Sequence, residues 1–217
     1  MRLYYTPTSP FVRKVLVAAH ELGLASRIQT EFLRPTPTAP DPVLSRTNPL
    51  AKIPALLIDE GDPSSALYDS PVICEYLDQL AVAEGRAPLV PAAGPARWRV
   101  LRCQALCDGI LDAGILVFYE RAQRPAALHW DAWLAGQTAK VQQGLDALER
   151  EVGAFGAAGA AGAAGAAVNL AQISAAVTIG WLEFRDAVGE IRTRRPALTA
   201  WYDAFRRRDS MRATEPA

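Results

Sequence analysis

Twice in the first 71 residues a serine stands directly before a proline where an apolar helical pattern begins: Ser9-Pro10 and Ser70-Pro71. Serine at the N-cap with proline at the first helical position is a strong helix start. The hydroxyl accepts an orphan backbone N–H, and proline has no N–H to leave unpaired. Val12, Val15, Leu16, Ala19 and Leu22 follow Ser9 at helical spacing, and Gly23 stops the run. After Ser70, a helix over 70–80 turns Val72, Ile73, Tyr76, Leu77 and Leu80 inward. Strands at 2–5 and 28–33 flank the first helix, a crossover of the length that a parallel pair requires. Two short strands at 55–58 and 66–68, joined through Asp59-Glu60-Gly61-Asp62-Pro63, read as a hairpin before the second helix.

The order β-α-β then β-β-α fits a thioredoxin-like α/β domain over residues 1–80. Between its two halves, residues 34–49 carry Pro35, Pro37, Pro40, Pro42 and Pro49, a density that reads as irregular chain. Gly85, Pro88, Pro91, Gly94 and Pro95 mark a linker over 81–95. Beyond it the pattern is helical, at about 96–123, 130–153, 169–187 and 196–208, so residues 96–217 form an all-α C-terminal domain. Residues 154–167 are of low complexity, Ala154-Phe155 followed by four Gly-Ala-Ala units from Gly156 to Ala167, with little to bury, which predicts a mobile surface loop. Asn169 with Gln172 three residues on forms a capping box, and the helix it opens turns Ile173, Val177, Trp181 and Phe184 inward.

The 217 residues carry 23 basic and 23 acidic side chains, a balance that argues against nucleic acid or an anionic membrane as the main partner. Arg206-Arg207-Arg208 reads as a solvated helix end near the favourable dipole pole. No apolar run approaches the roughly 20 residues that span a bilayer, and residues 1–5 lead straight into a strand without a signal-peptide pattern. A cytoplasmic protein is expected. Three cysteines give no disulfide framework and, with two distant histidines, no metal set; all three read as buried thiols.

Ser9 is the first residue with chemical potential. A hydroxyl at a helix N-terminus can hydrogen-bond a thiolate, and the dipole there favours negative charge. A plain N-cap is the simpler reading, and Thr6, Thr8, Tyr4 and Tyr5 are nearby rivals. No cysteine stands at this helix start, which argues against thioredoxin-type chemistry. At the second helix start, the Ser70 hydroxyl and the first N–H groups suit a carboxylate, with Asp69 beside them as an anionic partner.

Thr8-Ser9-Pro10-Phe11-Val12-Arg13-Lys14, Asn48-Pro49-Leu50-Ala51-Lys52-Ile53-Pro54 and Asp69-Ser70-Pro71-Val72-Ile73 resemble, in order, the glutathione-binding half of the glutathione S-transferase family. Three later segments are similar to a bacterial branch of glutathione S-transferase-like proteins: Ala105-Leu106-Cys107-Asp108-Gly109-Ile110-Leu111-Asp112-Ala113-Gly114, Val168-Asn169-Leu170-Ala171 and Arg212-Ala213-Thr214-Glu215-Pro216. The resemblance implies a thioredoxin-like N-terminal domain plus an all-helical C-terminal domain. It implies a transferase with glutathione as co-substrate and no metal, activating the thiol for attack on a small hydrophobic electrophile.

On this resemblance Ser9 would stabilise the thiolate. Ile53, before a cis bond to Pro54, would pair with the cysteinyl backbone, and Lys52 and Arg34 would reach the glycine carboxylate. Asp69 and Ser70 would hold the γ-glutamyl end. Phe11, Ile110, Leu111, Tyr119 and Trp181 would line the electrophile's place, although apolar stripes at helical spacing also read as core. The family pairs as homodimers. A glutathione-binding carrier without turnover, or a glutathione-dependent thiol oxidoreductase, are the rival readings.

Overall fold

A computed structural model describes residues 1–59, 62–155 and 168–216. The chain divides into two compact units, Met1–Arg97 with the residues from Ser210 onward, and Trp98–Asp209. The first unit contains β1 (Arg2–Tyr5), α1 (Pro10–Glu21), β2 (Gln29–Phe32), α2 (Pro42–Thr47), β3 (Ala55–Leu57), β4 (Ala66–Leu67) and α3 (Ser70–Ala83). Its sheet has the order β2-β1-β3-β4. β2 lies parallel to β1 (Tyr5 opposite Phe32), and β3 antiparallel to β1 (Tyr4 opposite Ala55). β4 is antiparallel to β3, with Leu56 opposite Leu67, so the expected hairpin is present. Its connection through Glu60 and Gly61 lies outside the described residues.

Leu3 and Leu56 on the central strands are fully buried. α1 and α3 pack against each other, burying Val12, Val15, Ala18 and Ala19 from one and Ile73, Leu77 and Ala81 from the other. Two sequence expectations change here. Val72 is 46% exposed, because the inward stripe runs through Ser70, Ile73, Cys74, Leu77, Asp78 and Ala81 and leaves Val72 off its face. The proline-dense stretch also contains a helix, α2. Asp41 caps it, accepting from Val43 N (2.8 Å) and Leu44 N (3.0 Å), and Pro42 takes the first position. That is the same physics as at Ser9, with aspartate in place of serine.

The segment after α3 is held by one carboxylate. Asp78 accepts from Leu89 N (2.5 Å) and Val90 N (3.3 Å), and both of those residues are buried. The last residues of the chain dock on α1. Arg13, 6% exposed, donates to Met211 O at 3.0 Å and to Thr214 Oγ1 at 3.4 Å. Glu21 accepts from the Ser210 hydroxyl. These contacts group the C-terminal residues with the first unit.

The second unit is helical: most of α4 (Gly94–Ala122), then α5 (Asp131–Glu151), α6 (Leu170–Arg185), α7 (Pro196–Phe205) and the start of α8 (Asp209–Arg212). α6 is buried from Leu170 through Leu182. Its capping box is formed: Gln172 N donates to Asn169 Oδ1 (3.1 Å) and Asn169 N to Gln172 Oε1 (2.9 Å). Phe184, expected inward, is 42% exposed; it lies in the last turn, where its ring stacks on Arg185. α5 and α7 are joined by the fully buried Arg195, which donates to Asp146 and Gln142, while Glu149 accepts from Ala197 N and Leu198 N. Of the stretch expected as a mobile loop over 154–167, the first two residues are ordered: Val152–Phe155 form a 3-10 turn whose Phe155 ring packs on Trp201. Residues 156–167 lie outside the described residues. Among the described residues no helix is long and apolar enough to cross a membrane.

Asp78→Ala should lower the unfolding free energy by about 1–3 kcal/mol, the cost of orphaning buried N–H groups. Burial raises the Asp78 pKa above 3.8, outweighing the two backbone hydrogen bonds that lower it. The folded state therefore favours the protonated carboxyl. Its contribution is fullest below 3.8 and falls as the pH rises through the folded value. Urea titrations of wild type and variant, repeated from acid to neutral pH, should show the gap narrowing; a widening gap would contradict this account.

Candidate functional site

Strand direction gathers the sequence candidates at one end of the sheet. β1, β2 and β4 all finish there, and β3, antiparallel to β1 and β4, begins there. Four segments therefore meet at this end: Thr6 to Ser9 after β1, Leu33-Arg34 after β2, Lys52-Ile53-Pro54 before β3, and Tyr68-Asp69-Ser70 after β4. Strands lie about 4.8 Å apart, so β1 and β4 are about 10 Å from each other. An extended tripeptide spans a similar distance, at most about 10–11 Å.

α1 and α3 each follow a strand that finishes at this end, so both helix N-termini sit there. At α1, Ser9 is the N-cap in extended conformation, with its hydroxyl oxygen accepting from Val12 N at 3.3 Å. Arg13 N closes the first turn on Ser9 O at 3.0 Å. Pro10 has no N–H, which leaves Phe11 N–H as the open donor of the turn. Capping uses an acceptor lone pair of Ser9, so its O–H hydrogen remains available to donate outward.

α3 starts one residue earlier than the sequence suggests. Asp69, not Ser70, occupies the N-cap, with Ser70 as the first helical residue and Pro71 next. The Asp69 carboxylate makes no capping bond, while its carbonyl accepts from Ile73 N at 3.1 Å. Ser70 is 1% exposed, and among the described residues its hydroxyl has no hydrogen-bond partner. Both side chains are thus unspent on the helix they begin.

Between the two helix starts, the Ile53-Pro54 bond is cis, as the resemblance implies. Ile53 packs its side chain on Tyr4, Leu44 and Ala55, and among the described residues its backbone N–H and C=O find no hydrogen-bond partner. Asn48 shapes the approach, a role that sequence reading did not assign. It is 2% exposed, donates to Lys52 O (2.8 Å) and accepts from Leu50 N (3.0 Å), while Ala51 N closes on Asn48 O (2.8 Å). Ala51 takes φ 50°, a left-handed conformation that this bonding holds in place. The one sequence signal was an asparagine before a proline, a common turn opening.

Lys52 and Arg34 are exposed at this end, and neither forms an ion pair among the described residues. Phe11 is half-buried, with Lys14 Nζ 5.9 Å from its ring centre. Of the rival hydroxyls, Tyr4 is 5% exposed in the core, and the Tyr5 ring packs edge-on against Phe32 at 6.1 Å.

The remaining nominated residues belong to the helical unit. Ile110 packs where a Cβ on Gly144 would meet it at 2.4 Å, and Trp181 covers Gly114 at 3.1 Å. Leu111 is 1% exposed. These three side chains are part of that unit's core, whereas Tyr119 is half-buried beside Phe118, with ring centres 5.7 Å apart. Cys74, Cys103 and Cys107 are buried thiols outside any disulfide. Cys107 is pushed well up by its hydrogen bond to Cys103 and by burial, which leaves it a thiol rather than a nucleophile.

Known proteins show which family this chain belongs to. The sequence profile described as "Glutathione S-transferase, N-terminal domain" matches residues 8–80, and the corresponding C-terminal profile matches residues 131–204. The chain is 35% identical over 216 residues to the "Uncharacterized GST-like protein YibF" of Escherichia coli (strain K12), covering 100% of this chain and 98% of that protein. The chain belongs to the glutathione S-transferase family. Among solved structures, a glutathione transferase family member from Pseudomonas fluorescens Pf-5 with bound glutathione is 43% identical, with TM-score 0.89, covering 100% of this chain and 98% of the other. The same family member with bound S-(propanoic acid)-glutathione gives 41% and TM-score 0.85, over 100% and 99%. A glutathione S-transferase from Methylobacillus flagellatus KT with bound glutathione gives 32% and 0.80, again over 100% and 99%. This glutathione S-transferase family member therefore carries the family's fold across its whole length.

Asn48→Ala removes two bonds that fold the segment before β3, and should cost about 1–3 kcal/mol. Asn48→Asp keeps an acceptor for Leu50 N but turns a carboxylate toward the Lys52 carbonyl, so it should cost no less. Urea unfolding of both variants checks this, and an aspartate variant as stable as wild type would show that the amide donor is dispensable.

Proposed function

We propose that the protein binds glutathione at the sheet end where α1 and α3 begin, and activates its thiol for attack on a small hydrophobic electrophile. The observation that carries this reading is the set of unspent polar groups there: the Ser9 hydroxyl, the Ile53 backbone, and Asp69 with Ser70, spread over about the length of a tripeptide. Ile53 N–H and C=O pair with the cysteinyl backbone in the manner of strand addition. Asp69 takes the γ-glutamyl ammonium, Ser70 and the α3 N-terminus its carboxylate, and Lys52 or Arg34 the glycine carboxylate. The relatives with bound glutathione support glutathione as the ligand. The relative with S-(propanoic acid)-glutathione supports a sulfur that carries a substituent.

The mechanism asks little of the protein beyond electrostatics. A thiol with a pKa of about 8.5 is only a few per cent ionised at pH 7. Two units of lowering, about 2.7 kcal/mol, make it mostly thiolate. The Ser9 O–H and the open Phe11 N–H, at the positive end of α1, are the groups that supply it. The thioredoxin-like domain (1–80) then holds the nucleophile, with the Phe11 ring beside it, and the helical domain (96–217) follows the 81–95 linker. We further assign the protein to the cytoplasm and to a homodimer, the commonest closed assembly.

Calorimetry should show saturable glutathione binding that the double variant Asp69→Ala/Ser70→Ala abolishes; undiminished binding would mean a different site. Ser9→Ala should raise the pKa of the bound thiol and slow conjugation, while changing affinity less. It should also cost about 1 kcal/mol of stability, which Ser9→Gly nearly restores without restoring activity. Thiolate absorbance against pH in the glutathione complex separates the two roles, and an unchanged titration in Ser9→Ala reduces Ser9 to a cap. Binding without turnover across an electrophile panel would favour a carrier. Light scattering should give about twice the monomer's 23.4 kDa at micromolar concentration, and a monomer mass would remove the dimer.

A further inference from the structure

Within the helical unit, Arg185 stands apart from its neighbouring arginines. Arg195 donates to Asp146 and Gln142, Arg192 to Glu183 and Asp203, and Arg121 to Ala187 O. Arg185 has no hydrogen bond or ion pair among the described residues. Its guanidinium carbon lies 4.5 Å from the Phe118 ring centre and 4.9 Å from that of Phe184. Nε is buried without an acceptor, and the two terminal nitrogens reach the surface.

Two phenyl rings beside it favour a guanidinium by their quadrupoles but accept none of its hydrogen bonds. The donors lie in the guanidinium plane, so its edge must be satisfied from outside. The buried Nε stays unpaired, and the two terminal nitrogens at the surface are the fork left open to a partner. Burial accordingly lowers the Arg185 pKa, although the side chain remains fully charged at neutral pH. The fork of donors matches a carboxylate bidentately.

The surroundings select a single negative charge. Asp186, the next residue, is exposed, and the end of α6 is the negative pole of its dipole. Both disfavour a doubly charged anion, and Arg121 and Arg192 are engaged with other partners. Glu183 and Asp203 are neutralised by Arg192, and the last carbonyls of α6 accept from Asp186 N and Ala187 N. An apolar body on the ligand would find Phe118, Phe184 and the neighbouring Tyr119 ring.

We infer that Phe118, Phe184 and Arg185 form a binding site for a small carboxylic acid with a flat apolar body, its carboxylate seated on the Arg185 edge. This site does not depend on the glutathione reading. Benzoate is the probe, with benzamide as its neutral counterpart, added to the full chain. In wild type, benzoate should shift the assigned Arg185 Nε–Hε resonance saturably below about 10 mM, and benzamide should not. Arg185→Gln should weaken benzoate binding at least about tenfold, and Arg185→Lys, which keeps the charge but loses the fork, should weaken it by less. Equal shifts with benzamide, no saturation with benzoate, or unchanged affinity in Arg185→Gln would each overturn the assignment. Because the benzoate and benzamide comparison uses wild type, it decides the matter even if a variant fails to fold.

Discussion

The candidate site depends on the direction of one short strand. β3 runs against both of its neighbours, so its first residues lie beside the last residues of β1 and β4. A parallel β3 would carry Ile53-Pro54 to the opposite end, three residues or about 10 Å away, and leave the two helix starts with nothing between them. Its hydrophobic content holds it in place: Ala55 and Leu56 are fully buried and Leu57 nearly so, with β1 and β4 on either side. A register slip of one residue would turn Leu56 to the other face, so the core fixes the backbone groups offered at Ile53.

Local physics made much of the first unit legible in the sequence. Ser9-Pro10 announced α1, and two short strands around a Gly-containing loop announced the hairpin. The capping box of α6 was readable because asparagine and glutamine keep the hydrogen bonds of the commoner residues. What stayed hidden depended on tertiary context. α2 was masked by its prolines, although Asp41-Pro42 is itself a helix start. The step from Ser70 to Asp69 as the N-cap is a one-residue shift that composition cannot see, yet it decides which side chains stay free. Asn48 looked like part of a turn, and its burial and double hydrogen bonding appear only when the segment is folded around it.

In the helical unit the same limit took another form. Ile110 and Trp181 look equally suited to a ligand wall or to a core, because both are large and apolar. Two glycines decide between these roles. Gly144 gives Ile110 a place with no Cβ in the way, and Gly114 does the same for Trp181 and Leu182. Close helix approach of this kind commits both faces to packing. Polar groups carry the remaining specificity: the fully buried Arg195 ties α5 to α7, and a bond of this type penalises any other pairing of those helices more than it favours the native one.

The docking of residues 211 and 214 on Arg13 gives the molecule a direction in time. The α/β unit is nearly complete once residue 97 has been made, yet these acceptors for its buried arginine follow only after the whole helical stretch up to Asp209. Synthesis proceeds at roughly 5–20 residues per second, so α1 waits several seconds for them while the helical half is being made. Nascent chains that stop short of residue 211 carry an α1 whose Arg13 lacks these two acceptors. Residues 211 and 214 thus complete the hydrogen bonding of a helix made about 190 residues earlier, and quality control that senses loosened helices would read their absence.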